Sequence, residues 1–274
     1  MNMTKTLTAI ALAAGILSGA TSVQASGGVQ APSLQWSFNG IFGTYDRAAL
    51  QRGFQVFKNV CASCHSLDLI AFRNFEALGY NEDQIKALAA GYEVQDGPNA
   101  DGDMFQRPAT PADHWPAPFA NDKAAAAANG GATPPDLSLI SKARGSGGDS
   151  AIRISLMHPH GFPIGADYVH ALMTGYEEKA PEGFQLPEGK YYNEYFPGHA
   201  ISMPPPLSEG VLDYEDGTKA TVDQMATDVS TFLSWASEPE LEHRKNLGIK
   251  VMLFLIIFTA MLYALKRKIW SNLH

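Results

Sequence analysis

Two cysteines stand three positions apart in the first quarter of the chain, and a histidine directly follows the second, in Cys61-Ala62-Ser63-Cys64-His65. Two thiols at this spacing can add to the two vinyl groups of one haem, and the adjacent imidazole is then held against the iron as its proximal ligand. The alternatives are half of a zinc site, which lacks a third cysteine or a suitably spaced histidine pair, and a redox dithiol, which needs a βαβ context. The motif therefore predicts one covalently attached haem c.

The second axial ligand decides whether such a haem transfers electrons or binds small molecules. Met203 begins the run Met203-Pro204-Pro205-Pro206, and prolines make a loop stiff enough to hold a thioether at a fixed distance. The loop precedes the last soluble helix, as distal-ligand loops do in class I cytochromes c. We predict that Met203 is the ligand, and His158, His160 and His199 are the alternatives. Four other methionines are expected to be packed or exposed: Met104, Met157, Met173 and Met225.

The first 25 residues predict a cleaved secretory signal. Lys5 is their only charge, an apolar run extends from Leu7 to Ala20, and Val23-Gln24-Ala25 is a small-residue cleavage pattern. The run is shorter than a membrane anchor requires. A mitochondrial presequence would be rich in arginine, and this segment contains none. We therefore expect a protein exported by a bacterium.

An uncharged stretch near the other end, Val251–Leu265, predicts a transmembrane helix. With its flanking residues it spans about 28 Å as a helix, close to the thickness of a bilayer core. The basic cluster Lys266-Arg267-Lys268 follows it and should stay on the cytoplasmic side, although Arg244 and Lys245 lie on the outer flank. The expected organisation is a signal at 1–25, a periplasmic haem domain at 26–242, an inner-membrane anchor at 243–268 and a cytoplasmic tail at 269–274.

Charge is distributed unevenly between these parts. All 28 acidic residues lie between Asp46 and Glu242, and the predicted haem domain has only 13 basic residues, which gives it a net charge of −15. Such a domain repels nucleic acid and favours a basic protein partner.

Apolar spacing and capping residues predict several helices. Asp46 is a candidate N-cap for a helix to about Asn59 that places Leu50, Phe54 and Phe57 on one face. Thr221 and Gln224 form a candidate capping box for a helix over 222–237, with Pro239 beyond its end. Shorter helices are expected at 81–90, 122–129, 136–143 and 166–174, with little regular structure over 91–135 and a long loop over 181–207.

Several segments resemble the cytochrome c1 family, the haem subunit of ubiquinol–cytochrome c reductase (the cytochrome bc1 complex). The resemblance runs from about Trp36 to the end of the chain and is carried by segments that occur in the family's order: Arg52–Phe57, Val60–Ser66, Val94–Asn99, Pro134–Ser138, Tyr195–Gly198, Met203–Pro205, Asp216–Thr218 and Trp235–Pro239.

The resemblance implies a mostly α c-type haem domain with long irregular loops and one C-terminal transmembrane helix. It implies His65 and Met203 as axial ligands, Arg144 and Tyr168 near the haem propionates, and Pro134 and Pro135 along the haem. An arginine suits a buried propionate in charge and geometry. The segment Gly145–Gly165 departs from the mitochondrial pattern as an insertion between Arg144 and Tyr168, and its His158-Pro159-His160 could bind a metal or form a solvated loop.

The function implied is electron transfer from a Rieske iron–sulfur protein to a soluble or tethered cytochrome c, in a membrane complex that also contains cytochrome b and is expected to be dimeric. The chain alone would not be a catalyst. Four acidic residues, Glu93, Asp96, Asp101 and Asp103, are expected to dock the basic acceptor or to form a solvated loop. The main alternative is a membrane-anchored monohaem cytochrome that donates directly to a terminal oxidase or reductase. A haem catalyst or gas sensor would instead need an open iron position.

Overall fold

The computed structural model describes residues 29–144 and 165–271. The predicted signal, the residues 145–164 of the predicted insertion with Met157, His158 and His160, and the last three residues of the predicted tail lie outside these ranges. The described chain is mainly helical, with long loops and one long apolar C-terminal helix, which confirms the predicted fold class.

The elements follow one another along the chain. The α-helices are α1 (Arg47–Asn59), α2 (Glu82–Ala90), α3 (Asp122–Ala128), α4 (Ile140–Ala143), α5 (Gly165–Thr174), α6 (Val222–Ser237) and α7 (Leu241–Trp270). Short 3-10 helices occupy Cys61–Ser63 and Phe72–Leu78. The described residues contain two antiparallel pairs of strands, β1 (Glu93–Asp96) with β2 (Phe105–Pro108), and β3 (Tyr191–Tyr192) with β4 (Ala200–Ile201).

Helices α1 and α6 form the centre of the core. The carboxylate of Asp46 accepts hydrogen bonds from the first-turn amides of α1, and the predicted apolar face Leu50, Phe54 and Phe57 is buried. The two backbones cross closely at Gly53, where a Cβ atom would lie 2.0 Å from the carbonyl oxygen of Asp228. Only glycine permits this distance, so Gly53 sets how closely the helices pack.

A buried ion pair fixes the same crossing. Arg52 Nε and Nη2 donate to the two carboxylate oxygens of the fully buried Asp228 at 2.9 and 3.0 Å. The third guanidinium nitrogen of Arg52, Nη1, donates to the carboxylate of Asp216. Gln224 donates its side-chain amide to Asp228 at 3.0 Å. The Thr221 hydroxyl accepts from the backbone amide of Gln224 as predicted. The Gln224 side chain bonds to Asp228 and not to the backbone amide of Thr221, so only one of the two hydrogen bonds of the predicted capping box forms.

Three predictions about local structure were wrong. The long loop expected over 181–207 contains the short paired strands β3 and β4. The helix expected at 136–143 begins only at Ile140, because the Asp136 carboxylate bonds to other segments of the chain. The stretch expected to lack regular structure contains the β1–β2 hairpin, whose exposed strands carry no long apolar alternation.

Helix α7 is long and apolar enough to cross a membrane, at 30 residues or about 45 Å. Its apolar side chains are exposed along its length, unlike those of a core helix. Its first turn is tied to the N-terminal part of the described chain, since Arg47 pairs with Glu242 at 2.7 Å.

Candidate haem-binding site

The two cysteines and the histidine of the motif lie on one compact turn directly after α1. The amides of Cys64 and His65 both donate to the carbonyl of Cys61, at 3.1 and 2.9 Å. Both thiols are free and partly buried. Burial, with a smaller effect of Cys64, raises the pKa of the Cys61 thiol to about 12. A redox dithiol usually has a lowered thiol pKa, which is the opposite direction.

The ring of His65 is oriented through its Nδ1 atom, which lies 2.8 Å from the carbonyl oxygen of Pro135. A carbonyl only accepts hydrogen bonds, so Nδ1 carries the proton and the lone pair is on Nε2. Burial lowers the pKa of the imidazole, with the bond to Pro135 opposing this effect, so the neutral form is favoured. A neutral ring with one nitrogen fixed by a backbone carbonyl is the arrangement that metal-ligating histidines use.

The carbonyl of Pro135 is held in place by its neighbour Asp136. One carboxylate oxygen of Asp136 accepts from Ser66 Oγ and from the amide of Asp68, each at 2.8 Å, and the other accepts from the amide of Ser138 at 2.9 Å. The hydroxyl of Ser138 accepts in turn from the amide of Leu69 at 3.0 Å. We call this network the Asp136 clamp, and it fastens the Pro135 segment to the residues that follow His65.

Met203 follows β4 and is anchored through its backbone. The hydroxyl of Tyr176 donates to the carbonyl of Met203 at 3.0 Å, and the amine of Lys190 donates to the adjacent Ser202 hydroxyl. With the prolines that follow, these contacts restrain the loop on both sides of Met203. The sequence did not identify Tyr176 or Lys190, because neither lies in a recognisable motif.

Arg144 and Tyr168 belong to segments that pack together although twenty-three residues separate them. Burial raises the pKa of Tyr168, and the positive charge of Arg144 partly opposes that rise. Gly165, the first residue of α5, packs directly against the backbone of Ser141 in α4. Tyr168 also contributes to the raised pKa of Tyr176.

The segment from Pro134 to Arg144 begins beside His65, whose ring it orients, and ends where α4 packs against α5, the helix that carries Tyr168. Tyr176, two residues after α5, donates to the backbone of Met203. Pro134 is partly buried and Pro135 is exposed.

Of the three alternative histidines the described residues include only His199, and the described methionines other than Met203 are packed or exposed as predicted. The ring of His199 stacks on Tyr192 with 5.7 Å between the centroids, and its Nδ1 is 3.3 Å from the carbonyl of Asn193. Met225 is fully buried on α6, and Met173 packs against the core. Met104 is 54% exposed in the loop between β1 and β2.

The four predicted docking acids belong to the β1–β2 hairpin. Asp96 pairs with Arg107 of the neighbouring strand, which also pairs with Asp113 at 2.7 Å. The sequence suggested an acidic stretch without a base, but strand pairing brings Arg107 to Asp96 and lowers the pKa of that carboxyl. Asp101 and Asp103 donate their amides to the side chain of Asn99, each at 2.9 Å. Glu93 is exposed as well.

Comparisons with known proteins identify the family of the chain. The Cytochrome C1 family matches residues 36–273. The chain is 53% identical to "Cytochrome c1" of Rhodospirillum rubrum over 90% of this chain and 89% of the relative, and 45% identical to the mitochondrial "Cytochrome c1-1, heme protein" of Solanum tuberosum over 94% and 76%. It is 54% identical to "Cytochrome b/c1" of Bradyrhizobium diazoefficiens over 89% of this chain, and there it spans 36% of the longer relative. The chain belongs to the cytochrome c1 family.

Proposed function

We propose that this chain is the membrane-anchored, electron-carrying haem subunit of a quinol-oxidising cytochrome bc1 complex. The observation that carries the proposal is the His65 ring, which the Pro135 carbonyl fixes through Nδ1 beside two free thiols on the same turn. This donor set suits a c-type haem. Family membership supports the place of the chain in the complex.

Cys61 and Cys64 would form the two thioether bonds, and His65 Nε2 and the Met203 thioether would bind the haem iron. Arg144 and Tyr168 would face the propionates, and Pro134 and Pro135 would line the macrocycle. A haem held in this way supplies a one-electron couple, and a thioether ligand raises its potential. The Asp136 clamp and the Tyr176 hydrogen bond would hold these two iron-binding residues in position.

The chain would then carry single electrons from a Rieske iron–sulfur protein to a cytochrome c, beside cytochrome b in a dimeric complex. The hairpin acids Glu93, Asp101 and Asp103 would attract a basic acceptor, since exposed charges raise the rate of encounter. Asp96 contributes less, because Arg107 already pairs with it.

Helix α7 would anchor the chain in a bacterial inner membrane, with the haem domain in the periplasm and the C-terminus in the cytoplasm. Its length and its exposed apolar surface support the membrane span. The basic residues Lys266, Arg267 and Lys268 support this orientation. Residues 1–25 would be removed on export.

The test is to express the chain with an affinity tag in a bacterium with an intact haem-attachment system and to solubilise its membranes in mild detergent. Haem staining of a denaturing gel should mark the chain, and the Cys61→Ala/Cys64→Ala variant should lose the stain. Cytochrome b and a Rieske protein should co-purify with the native chain. Stain that persists in the double variant contradicts covalent attachment. A stained chain that purifies instead with a terminal oxidase contradicts the place in the complex.

A further inference from the structure

The loop Asn39–Gly43 presents apolar side chains to solvent beside the start of α7. Phe42 is 82% exposed and Ile41 is 42% exposed. Residues on both sides of the loop are buried, since Phe38 and Tyr45 are each 5% exposed and their rings lie 5.0 Å apart. The exposure of Phe42 is therefore not caused by a loosely attached segment.

The conformation of the loop is fixed by its own backbone. The amide of Asn39 donates to Trp36 at 3.0 Å, and the amide of Thr44 donates to Ser37 at 3.1 Å. A Cβ atom on Gly43 would lie 1.9 Å from the carbonyl of Asn39, so the chain turns too tightly there for any other residue. A rigid loop that displays a large apolar side chain has already lost most of the conformational entropy that contact with a partner would remove.

The same loop is fastened to the helix that would enter the membrane. The ammonium of Lys245 donates to the carbonyls of Phe38 and Gly43, at 2.7 and 2.9 Å. Glu242, three residues earlier, accepts from the amide of Tyr45 at 2.8 Å. These bonds fix the loop relative to the first turn of α7.

The position of Lys245 on α7 sets the depth of the loop. Lys245 lies two residues before Leu247, where the apolar part of the helix begins, and six before the uncharged stretch from Val251. A helix rises about 1.5 Å per residue. With the hydrocarbon boundary between Leu247 and Val251, Lys245 and the loop bonded to it therefore lie about 3 to 9 Å above that boundary. Apolar side chains of interfacial segments are buried about 5–10 Å into the boundary between headgroups and acyl chains, so Phe42 is within reach of it.

We propose that Ile41 and Phe42 insert into the lipid interface next to α7 and give the haem domain a second contact with the bilayer. The inference rests on the proposed membrane anchor. The lipid is favoured over a protein partner because the loop is hydrogen-bonded to the start of the membrane-spanning helix, which fixes it at interfacial depth. The second contact would restrict tilting of the haem domain on its single helix.

Site-directed spin labelling of the full-length, haem-loaded chain in liposomes tests the proposal. The sequence contains only two cysteines, both used by the haem, so Phe42→Cys provides a single thiol for a nitroxide label. Ile41→Cys is the second labelling site. Phe254→Cys on the exposed surface of α7 reports the anchor, and Asp101→Cys at the exposed hairpin reports the aqueous phase. The measurement is the accessibility of each label to molecular oxygen relative to a water-soluble nickel complex.

The expected oxygen-to-nickel ratio at Phe42 and Ile41 is several-fold higher than at Asp101 and approaches that at Phe254. A ratio at both loop sites equal to that at Asp101, with Phe254 in hydrocarbon, overturns the loop contact and leaves the anchor intact. A ratio at Phe254 as low as that at Asp101 overturns both the loop contact and the membrane anchor. Labels in the loop that are immobile and inaccessible to both reagents show a protein cover and overturn insertion into lipid.

Discussion

The hydroxyl of Tyr176 donates a hydrogen bond of 3.0 Å to the backbone oxygen of Met203. This contact holds the loop that carries the proposed thioether ligand, and the adjacent Ser202 is held by Lys190. The distal half of the site therefore depends on side chains that lie 27 and 12 residues away in sequence.

Replacing Met203 by Leu keeps the apolar volume but removes the sulfur. We expect the ferric charge-transfer band of sulfur ligation to disappear, the reduction potential to fall below that of the iron–sulfur donor, and ferrous protein to bind carbon monoxide. Absorption spectroscopy and a redox titration measure these changes. Met225→Leu is the matched control, because that fully buried methionine should tolerate the swap at a cost below about 1.5 kcal/mol and keep the band. A band that survives Met203→Leu would assign the ligand to another residue.

Tyr176→Phe removes one hydrogen bond and leaves the ring. The loss should lower the free energy of unfolding by about 1 kcal/mol and weaken the sulfur-to-iron band without abolishing it. Tyr263→Phe on α7 is the control, since that residue is exposed. Spectra at increasing temperature should show earlier loss of the band in Tyr176→Phe alone. Equal thermal behaviour of the two variants would show that the hydroxyl does not support the loop.

Asp136→Ala opens the clamp behind His65. Three hydrogen bonds to the carboxylate are lost, so we expect the free energy of unfolding to fall by about 3 kcal/mol. Haem incorporation should also fall, because the Pro135 carbonyl that orients His65 is no longer fixed. Urea unfolding of the detergent-solubilised chain and haem content per chain provide the measurements. Asp213→Ala removes an exposed acid as the control. Native stability in Asp136→Ala would mean that Pro135 is positioned by other contacts.

Gly53→Ala tests the crossing of α1 and α6. The added methyl would overlap the Asp228 carbonyl, so the helices must separate, at a cost of about 3 kcal/mol or more. Gly248→Ala is the control on α7, where a Cβ has no heavy atom within 4 Å. The yield of folded, red protein should fall sharply for Gly53→Ala and remain unchanged for Gly248→Ala. Equal yields would contradict the close approach.

The hairpin acids should differ in their contributions to docking. Asp101→Asn/Asp103→Asn should slow electron transfer to a basic cytochrome c at low salt, and the difference from the native chain should shrink as the Debye length falls to about 10 Å at 0.1 M. Asp96→Asn should have a smaller effect, since Arg107 already offsets that charge. Stopped-flow rates over a salt series provide the measurement, with Asp213→Asn/Glu215→Asn as an exposed control pair. Equal slowing by the control pair would indicate a general effect of net charge.

Features set by local periodicity could be predicted from the sequence. The spacing of Leu50, Phe54 and Phe57 and the cap at Thr221 indicated α1 and α6 with their buried faces. The Pro135 acceptor for His65 could not be predicted from local pattern, because it joins residues 70 positions apart. The pairing of Arg107 with Asp96 likewise depends on strand register. Such contacts arise only when distant segments meet, and no spacing rule encodes them.

The bond between Arg52 and Asp228 also affects the order in which the chain can fold. These residues are 176 positions apart, so the packing of α1 against α6 depends on contacts between segments distant in sequence. It cannot form until α6 has emerged from the ribosome tunnel or the export channel. Until then α1 lacks its main packing partner, and the turn that follows it, with Cys61 and Cys64, stays exposed. Late closure would give the proposed haem attachment a time window before the core forms around the site.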